Sequence, residues 1–201
     1  MATREHIEIL KRGVRAWNEW RDKSPLLVPD LREAIFLSTH LNVADLSRTN
    51  LKKAKLPGCR LEVACLYRAN LIGANLCYAN MKRTLLMEAN LTRAKLEGAN
   101  LRKANLSKAN LRGTDMRGVD FNAANLSKAN LAWAELRFAH FEEANLEGAT
   151  LTGADLRRVR GLSVEQLSKV KTLYKAKLDP EIQEMIKKKF PRLFQMPKAG
   201  A

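Results

Sequence analysis

Every fifth residue from Leu31 to Leu156 is Leu, Phe or Met, giving 26 positions without an insertion, 21 of them Leu. Two residues before each of these a small residue recurs, and 19 of the 26 are Ala, as at Ala64, Ala69, Ala74 and Ala79. The residue between is often Asn or Asp, as at Asn70, Asn75, Asn80 and Asp115. The unit therefore reads A-N-L-x-x. A period of five suits neither a helix at 3.6 nor a long flat strand at 2. In an extended segment residues two apart share a face. Ala and Leu thus point one way, Asn points the other, and the chain has to turn before the next Ala.

The turn has its own signature. All seven glycines between residues 29 and 160, from Gly58 to Gly153, sit two places after the central residue. The run Leu56-Pro57-Gly58-Cys59 has the Pro-then-Gly order of a type II turn, whose third residue needs a positive φ. Arg48, Lys53, Arg93 and Lys128 occupy the same place, so either not every corner is of this type or some carry strain. Short extended edges joined by corners make a β-solenoid with leucines inside, a packed interior that leaves no room for a substrate.

The tandem A-(D/N)-L-x-x units resemble the pentapeptide-repeat family over about 130 of the 201 residues. That resemblance implies an all-β solenoid: a right-handed quadrilateral β-helix with four units per coil, here about 6.5 coils. At about 4.8 Å between stacked strands such a rod is about 31 Å long. Residues twenty apart then stack. Asn50, Asn70, Asn90, Asn110 and Asn130 are expected to form a ladder of side-chain amide hydrogen bonds, and Phe121 is expected to stack on Phe141. The family also implies a homodimer through a cap. Some of its members mimic DNA to protect type II topoisomerases. That mimicry needs an acidic rod, whereas this chain has a net charge of +15, with +9 between residues 31 and 160.

The division expected is a helical cap over 1–28, the repeat over 29–160 and a second helical cap over 161–201. Caps are needed because a solenoid exposes a strand edge at each end. Ile7, Leu10, Val14 and Trp17 have helical spacing and predict one amphipathic helix over 4–21, weakest at Gly13. Ser163 with Gln166 reads as a capping box opening a helix over about 163–170. Thr172 to Leu178 reads as a connector. Asp179-Pro180 supplies an N-cap and first-turn proline for a last helix ending before Pro191, with 196–201 frayed. Both flanks resemble those of cyanobacterial family members.

Few residues suggest chemistry. His40 and His140 share a stack but lie about 24 Å apart, too far to share a metal. The three cysteines form no C-x-x-C pair and fit a reducing, cytoplasmic compartment. No apolar run reaches the ~18 residues of a membrane span, and residues 1–8 lack the apolar core of a secretory signal. No nucleophile, phosphate loop, cofactor motif or metal set is present, so no enzyme and no cofactor is expected. The chain reads as a non-enzymatic protein–protein interaction scaffold. Its candidate partner contacts are Trp133 and Phe138, aromatic residues at outward corner positions, to be covered either by a partner or by the chain's own C-terminal helices. The alternative is nucleic-acid or anionic-surface binding through a basic column of Arg60, Lys82, Arg83, Arg102 and Lys103.

Overall fold

A computed structural model describes residues 3–197. The pentapeptide edges are too short to form strands. They pair instead through single-residue parallel bridges, Asn50 with Asn70, Asn70 with Asn90, Asn90 with Asn110, always twenty residues apart up to Arg160. Four units therefore complete one coil. Each unit hangs on its neighbours by three backbone bonds. The Leu71 N–H donates to the Asn90 carbonyl at 2.7 Å, Gly73 N–H to Thr92 at 3.0 Å, and Asn90 N–H back to Ala69 at 2.9 Å.

Every corner has the same conformation. The third corner residue has positive φ at all 26 positions from Glu33 to Arg158, and only seven of these are Gly. Most corners close with a bond such as Ala74 N–H to the Leu71 carbonyl at 3.0 Å, the geometry of a type II turn. The left-handed conformation costs an L-residue roughly 1–2 kcal/mol. The inter-coil bonds and the buried leucine beside each corner hold the chain there regardless of side chain.

The central Leu, Phe and Met side chains are almost wholly buried, and Phe121 stacks on Phe141 at 5.2 Å between ring centroids. The interior is solid.

Two helices close the N-terminal end, α1 (Arg4–Lys11) and α2 (Val14–Lys23), where the sequence predicts one. Gly13, at φ 109°, breaks them, yet their apolar residues still face the first coil. Trp17 is completely buried and donates its indole N–H to the Asp45 carbonyl at 2.7 Å. Asn18 accepts the Asp45 N–H at 2.9 Å and donates to the Val43 carbonyl at 3.0 Å. The buried Arg21 pairs with Asp45 at 3.3 Å and donates to the Leu27 and Ser47 carbonyls. His6 Nδ1 accepts the Asp30 N–H at 3.0 Å. Side chains thus replace a missing coil on the Asp30 and Asp45 sides. The N–H groups of Ile35 and His40, on the other two sides, have no such partner among the described residues.

At the other end the repeat does not stop at Leu156. It resumes after α3 (Val164–Ser168) with a step of 22 instead of 20, pairing Thr150 with Thr172 and Asp155 with Lys177. Leu173 and Leu178 take central positions, and Lys175 is a positive-φ corner. The expected connector is thus two further repeat units, displaced because α3 uses two residues more than the edge it replaces. The capping box forms as expected, with Gln166 N–H on Ser163 Oγ at 3.1 Å and Ser163 N–H on Gln166 Oε1 at 2.7 Å. Gln166 Nε2 also donates to the Phe141 and Ala144 carbonyls, both at 2.8 Å, and so finishes that edge. Asp179 departs from expectation. It precedes α4 (Pro180–Lys189), but its carboxylate accepts the Arg158 corner N–H at 2.9 Å and caps the last coil, not the helix. A 3₁₀ turn, Pro191–Phe194, follows, and its Leu193 carbonyl accepts the Leu173 N–H at 2.6 Å. Of the segment expected to fray, 198–201 lies outside the described residues. No helix among the described residues is long and apolar enough to cross a membrane.

Candidate interaction surfaces

Corner side chains lean toward the next coil. Ser38, Lys53, Tyr78, Arg93, Lys128 and Trp133 each lie over a glycine twenty residues on, at Gly58, Gly73, Gly98, Gly113, Gly148 and Gly153. Trp133 packs closely on Gly153, where an added Cβ would overlap the indole. Gly118 follows another glycine, Gly98, and has nothing over it. Gly118→Ala is therefore expected to cost only the positive-φ penalty, about 1 kcal/mol. Gly153→Ala should cost about 1–3 kcal/mol more through overpacking. Urea unfolding of both variants, and of Gly153→Ala combined with Trp133→Ala, checks this, because removing the indole should erase the excess.

Trp133 is 48% exposed and Phe138 46% exposed with the C-terminal helices in place. They occupy successive corners and do not form one patch. Trp133 borders a shallow depression of about 450 Å³ lined by Ile72, Thr92, Arg93, Arg112 and Gly113. Phe138 borders another of about 340 Å³ with Tyr78, Glu97, Gly98, Arg117 and Gly118. The Arg137 and Arg158 guanidinium groups lie over the Phe138 ring at 5.4 and 5.7 Å. Arg137 Nε is buried without a hydrogen-bond partner.

The side between these corners is internally neutralised. Arg117 bonds Asp115 at 2.7 Å and Glu97 at 3.1 Å, and Arg157 bonds Asp155 at 2.6 Å. These guanidinium groups hold the Asp115 and Asp155 carboxyls below the usual carboxylate range.

Arg60, Lys82, Arg83, Arg102 and Lys103 occupy one side of the rod on adjacent coils, but in three columns instead of one, because edge and corner residues differ in direction. Glu62, Asp120, Glu142 and Glu143 share that side. Arg102 pairs with Asp120 at 3.3 Å, and Asn80 donates to Glu62 at 2.7 Å. With Arg160 at its end, this edge and corner carry six cations against four acids.

The asparagine ladder also differs from expectation. Asn70 Nδ2 reaches Asn50 Oδ1 at 3.3 Å, but the other ladder amides turn to their own backbone. Asn90 Oδ1 accepts the Thr92 N–H at 3.1 Å, Asn110 that of Arg112 at 3.2 Å, and Asn130 that of Ala132 at 3.1 Å. The corner N–H two residues ahead is otherwise unpaired, and this local acceptor outcompetes the neighbouring coil.

Cys59, Cys65 and Cys77 are free thiols, and burial pushes the Cys59 thiol up and away from reactivity. The described residues contain no cluster able to hold a metal ion.

Twenty-residue parallel register, identical five-residue corners and a closed leucine core define a repeat solenoid whose chemistry lies on its outer faces. A family model for pentapeptide repeats matches residues 30–62, 64–102, 85–123 and 124–160, and the chain belongs to that family. Membership implies the right-handed quadrilateral β-helix. Among solved structures, the chain is similar to HetL, a pentapeptide repeat protein involved in heterocyst differentiation regulation in the cyanobacterium Nostoc, at 28% identity over 74% of this chain and 82% of that one, TM-score 0.34. It is also similar to a trypsin-treated variant of QnrB1, a plasmid-mediated fluoroquinolone resistance protein, at 21% identity over 78% and 86%, TM-score 0.40. A third is a pentapeptide repeat protein of the Arabidopsis thaliana thylakoid lumen, at 20% identity over 54% and 71%, TM-score 0.30. No curated protein matches the chain.

Proposed function

We propose that this chain is a non-enzymatic interaction scaffold: a right-handed rod of about seven coils, closed by helices at both ends, that docks a protein partner through its corners. The observation that carries the reading is the pair of half-exposed aromatic residues, Trp133 and Phe138, each beside a shallow depression on an otherwise solid rod. Large exposed rings on a rigid support act as contact anchors. The depressions among the described residues are open and shallow, the largest about 560 Å³ where α3 meets the last coils, unlike the enclosed pockets catalysis uses, and the three free thiols support a reducing compartment such as the cytoplasm.

The test is affinity capture from native lysate, washed at about 0.3 M salt to strip weak phosphate contacts. The wild type is expected to retain a stoichiometric protein that Trp133→Ala combined with Phe138→Ala loses. Retention by the double variant would remove the corners from the interface.

A further inference from the structure

We propose that the asparagine-lined side of the rod binds single-stranded nucleic acid, with Trp133 stacking a base. This rests on the scaffold reading and revises it at one corner: Trp133 meets a base, and Phe138 alone docks the protein partner.

The asparagine orientation comes first. An Oδ1 that accepts a backbone N–H leaves the amide NH₂ as the outward group, and Asn90, Asn110 and Asn130 are held in this way. The side thus offers hydrogen-bond donors on the three coils of Asn90, Asn110 and Asn130, about 4.8 Å apart, while Asn70 gives its amide to Asn50. From Asn50 to Asn130 this line spans four coil steps, about 19 Å.

Cations border the line on both sides. One corner column carries Arg48, Lys108 and Lys128, the other Lys52, Lys53, Arg93 and Arg112, and all seven are exposed. Among the described residues none of them is ion-paired. Glu88 is the one carboxylate on these columns between residues 48 and 133, and Arg68 neutralises it at 2.7 Å. Donors and unpaired cations form a surface for a linear polyanion, bounded by Glu33 one coil before Lys53 and by Glu147 one coil beyond Lys128. Between residues 48 and 133 this side and its two corners carry eight cations against one acid, and the side of Arg60 and Arg102 with its own two corners carries six against three; over the whole rod the two sides have equal net charge.

The class of polyanion follows from the Trp133 depression. There an exposed indole borders the same depression as Arg112 and as Arg93, which lies over Gly113. That places a stacking ring and two phosphate-binding forks within one nucleotide's reach. A duplex keeps its bases stacked inside and offers none to the indole. An anionic membrane or an acidic protein surface supplies charge but no regular succession of rings.

The test uses a fluorescein-labelled oligothymidylate of about twenty nucleotides and anisotropy titration of the full chain at two salt concentrations, about 50 and 200 mM. Saturable binding is expected, with a log–log salt slope of about −0.7 for each phosphate contacted. Arg93→Ala with Arg112→Ala should flatten that slope by about 1.4. Trp133→Ala should weaken binding about tenfold. Lys82→Ala with Arg83→Ala, on the corner diagonally across the rod, should change neither affinity nor slope; the Arg and Lys variants should melt as wild type does, and Trp133→Ala, which uncovers Gly153, is titrated below its own melting transition. Absence of saturable binding at the lower salt overturns the proposal. So does equal weakening by the Lys82/Arg83 variant, indifference to Trp133→Ala, or tighter binding of a duplex of the same length or of phosphatidylserine vesicles. A protein captured through Phe138 in the absence of oligonucleotide binding would leave the scaffold reading standing and this one refuted.

Discussion

Leu106→Asp is expected to prevent the rod from folding at ordinary temperatures. Leu106 has no exposed surface and sits mid-rod in the column of Leu86 and Leu126. An aspartate there removes a buried leucine side chain, worth about 2–5 kcal/mol, and buries a carboxylate without a partner, several kcal/mol more. A domain's whole stability is about 5–15 kcal/mol. The position also matters, since a solenoid is held by nearest-neighbour contacts and a break in the middle separates two short stacks. Circular dichroism on heating should show the native transition lost or lowered by more than about 10 °C, while Leu106→Met should stay within a few degrees. An unchanged melt for the aspartate variant would falsify the solid leucine interior.

Trp17→Ala is the second large effect. Trp17 is wholly buried under α2 and is the donor that satisfies the Asp45 carbonyl on the first coil. Truncation to alanine should cost about 3–5 kcal/mol, lowering the midpoint by about 6–20 °C for a chain of this size. It also uncovers backbone groups on the Asp45 side, and unpaired strand edges associate. Sedimentation velocity should therefore show concentration-dependent oligomers that the wild type lacks under the same conditions. Trp17→Phe keeps most of the packing but loses the indole N–H and should cost about 1–3 kcal/mol. A monodisperse, unshifted Trp17→Ala protein would show that α2 contributes little to closing the end.

The repeat was legible in the sequence because one residue in five decides it. Register, core and the Phe121–Phe141 stack follow from counting alone. The corners were half legible. Glycine marks the positive-φ site, but the arginines and lysines at the same site conceal that every corner has that conformation. Gly13 illustrates a different blindness. Ile7, Leu10, Val14 and Trp17 keep helical spacing across the break, because both short helices turn their apolar sides to the same coil. Thr172 to Leu178 escaped as repeat because the two extra residues at α3 moved Leu173 and Leu178 off the five-residue count. Asp179 shows that a helix-start pattern cannot say which backbone N–H a carboxylate chooses. For the surfaces, Trp133 and Phe138 were recognisable as outward. The Arg60–Lys103 group was chosen by counting cations without the acids on its flanking corners. Summing both signs along columns twenty apart between residues 48 and 133 would have pointed to Arg93 and Arg112 instead.

Four units to a coil means that chain length also sets an angle. Removing or adding twenty residues within the repeat changes only the separation of the two ends, and every surface column stays continuous. Removing five turns the C-terminal end by a quarter revolution relative to the N-terminal end. Leucine still follows leucine inside, so the core does not register the difference. Outside, each column downstream of the deletion is grafted onto a different one upstream, and the asparagine line would run into the column of Asp115 and Glu135 or that of Cys65 and Leu85. The outer faces therefore constrain this sequence to count in twenties, while its interior counts only in fives.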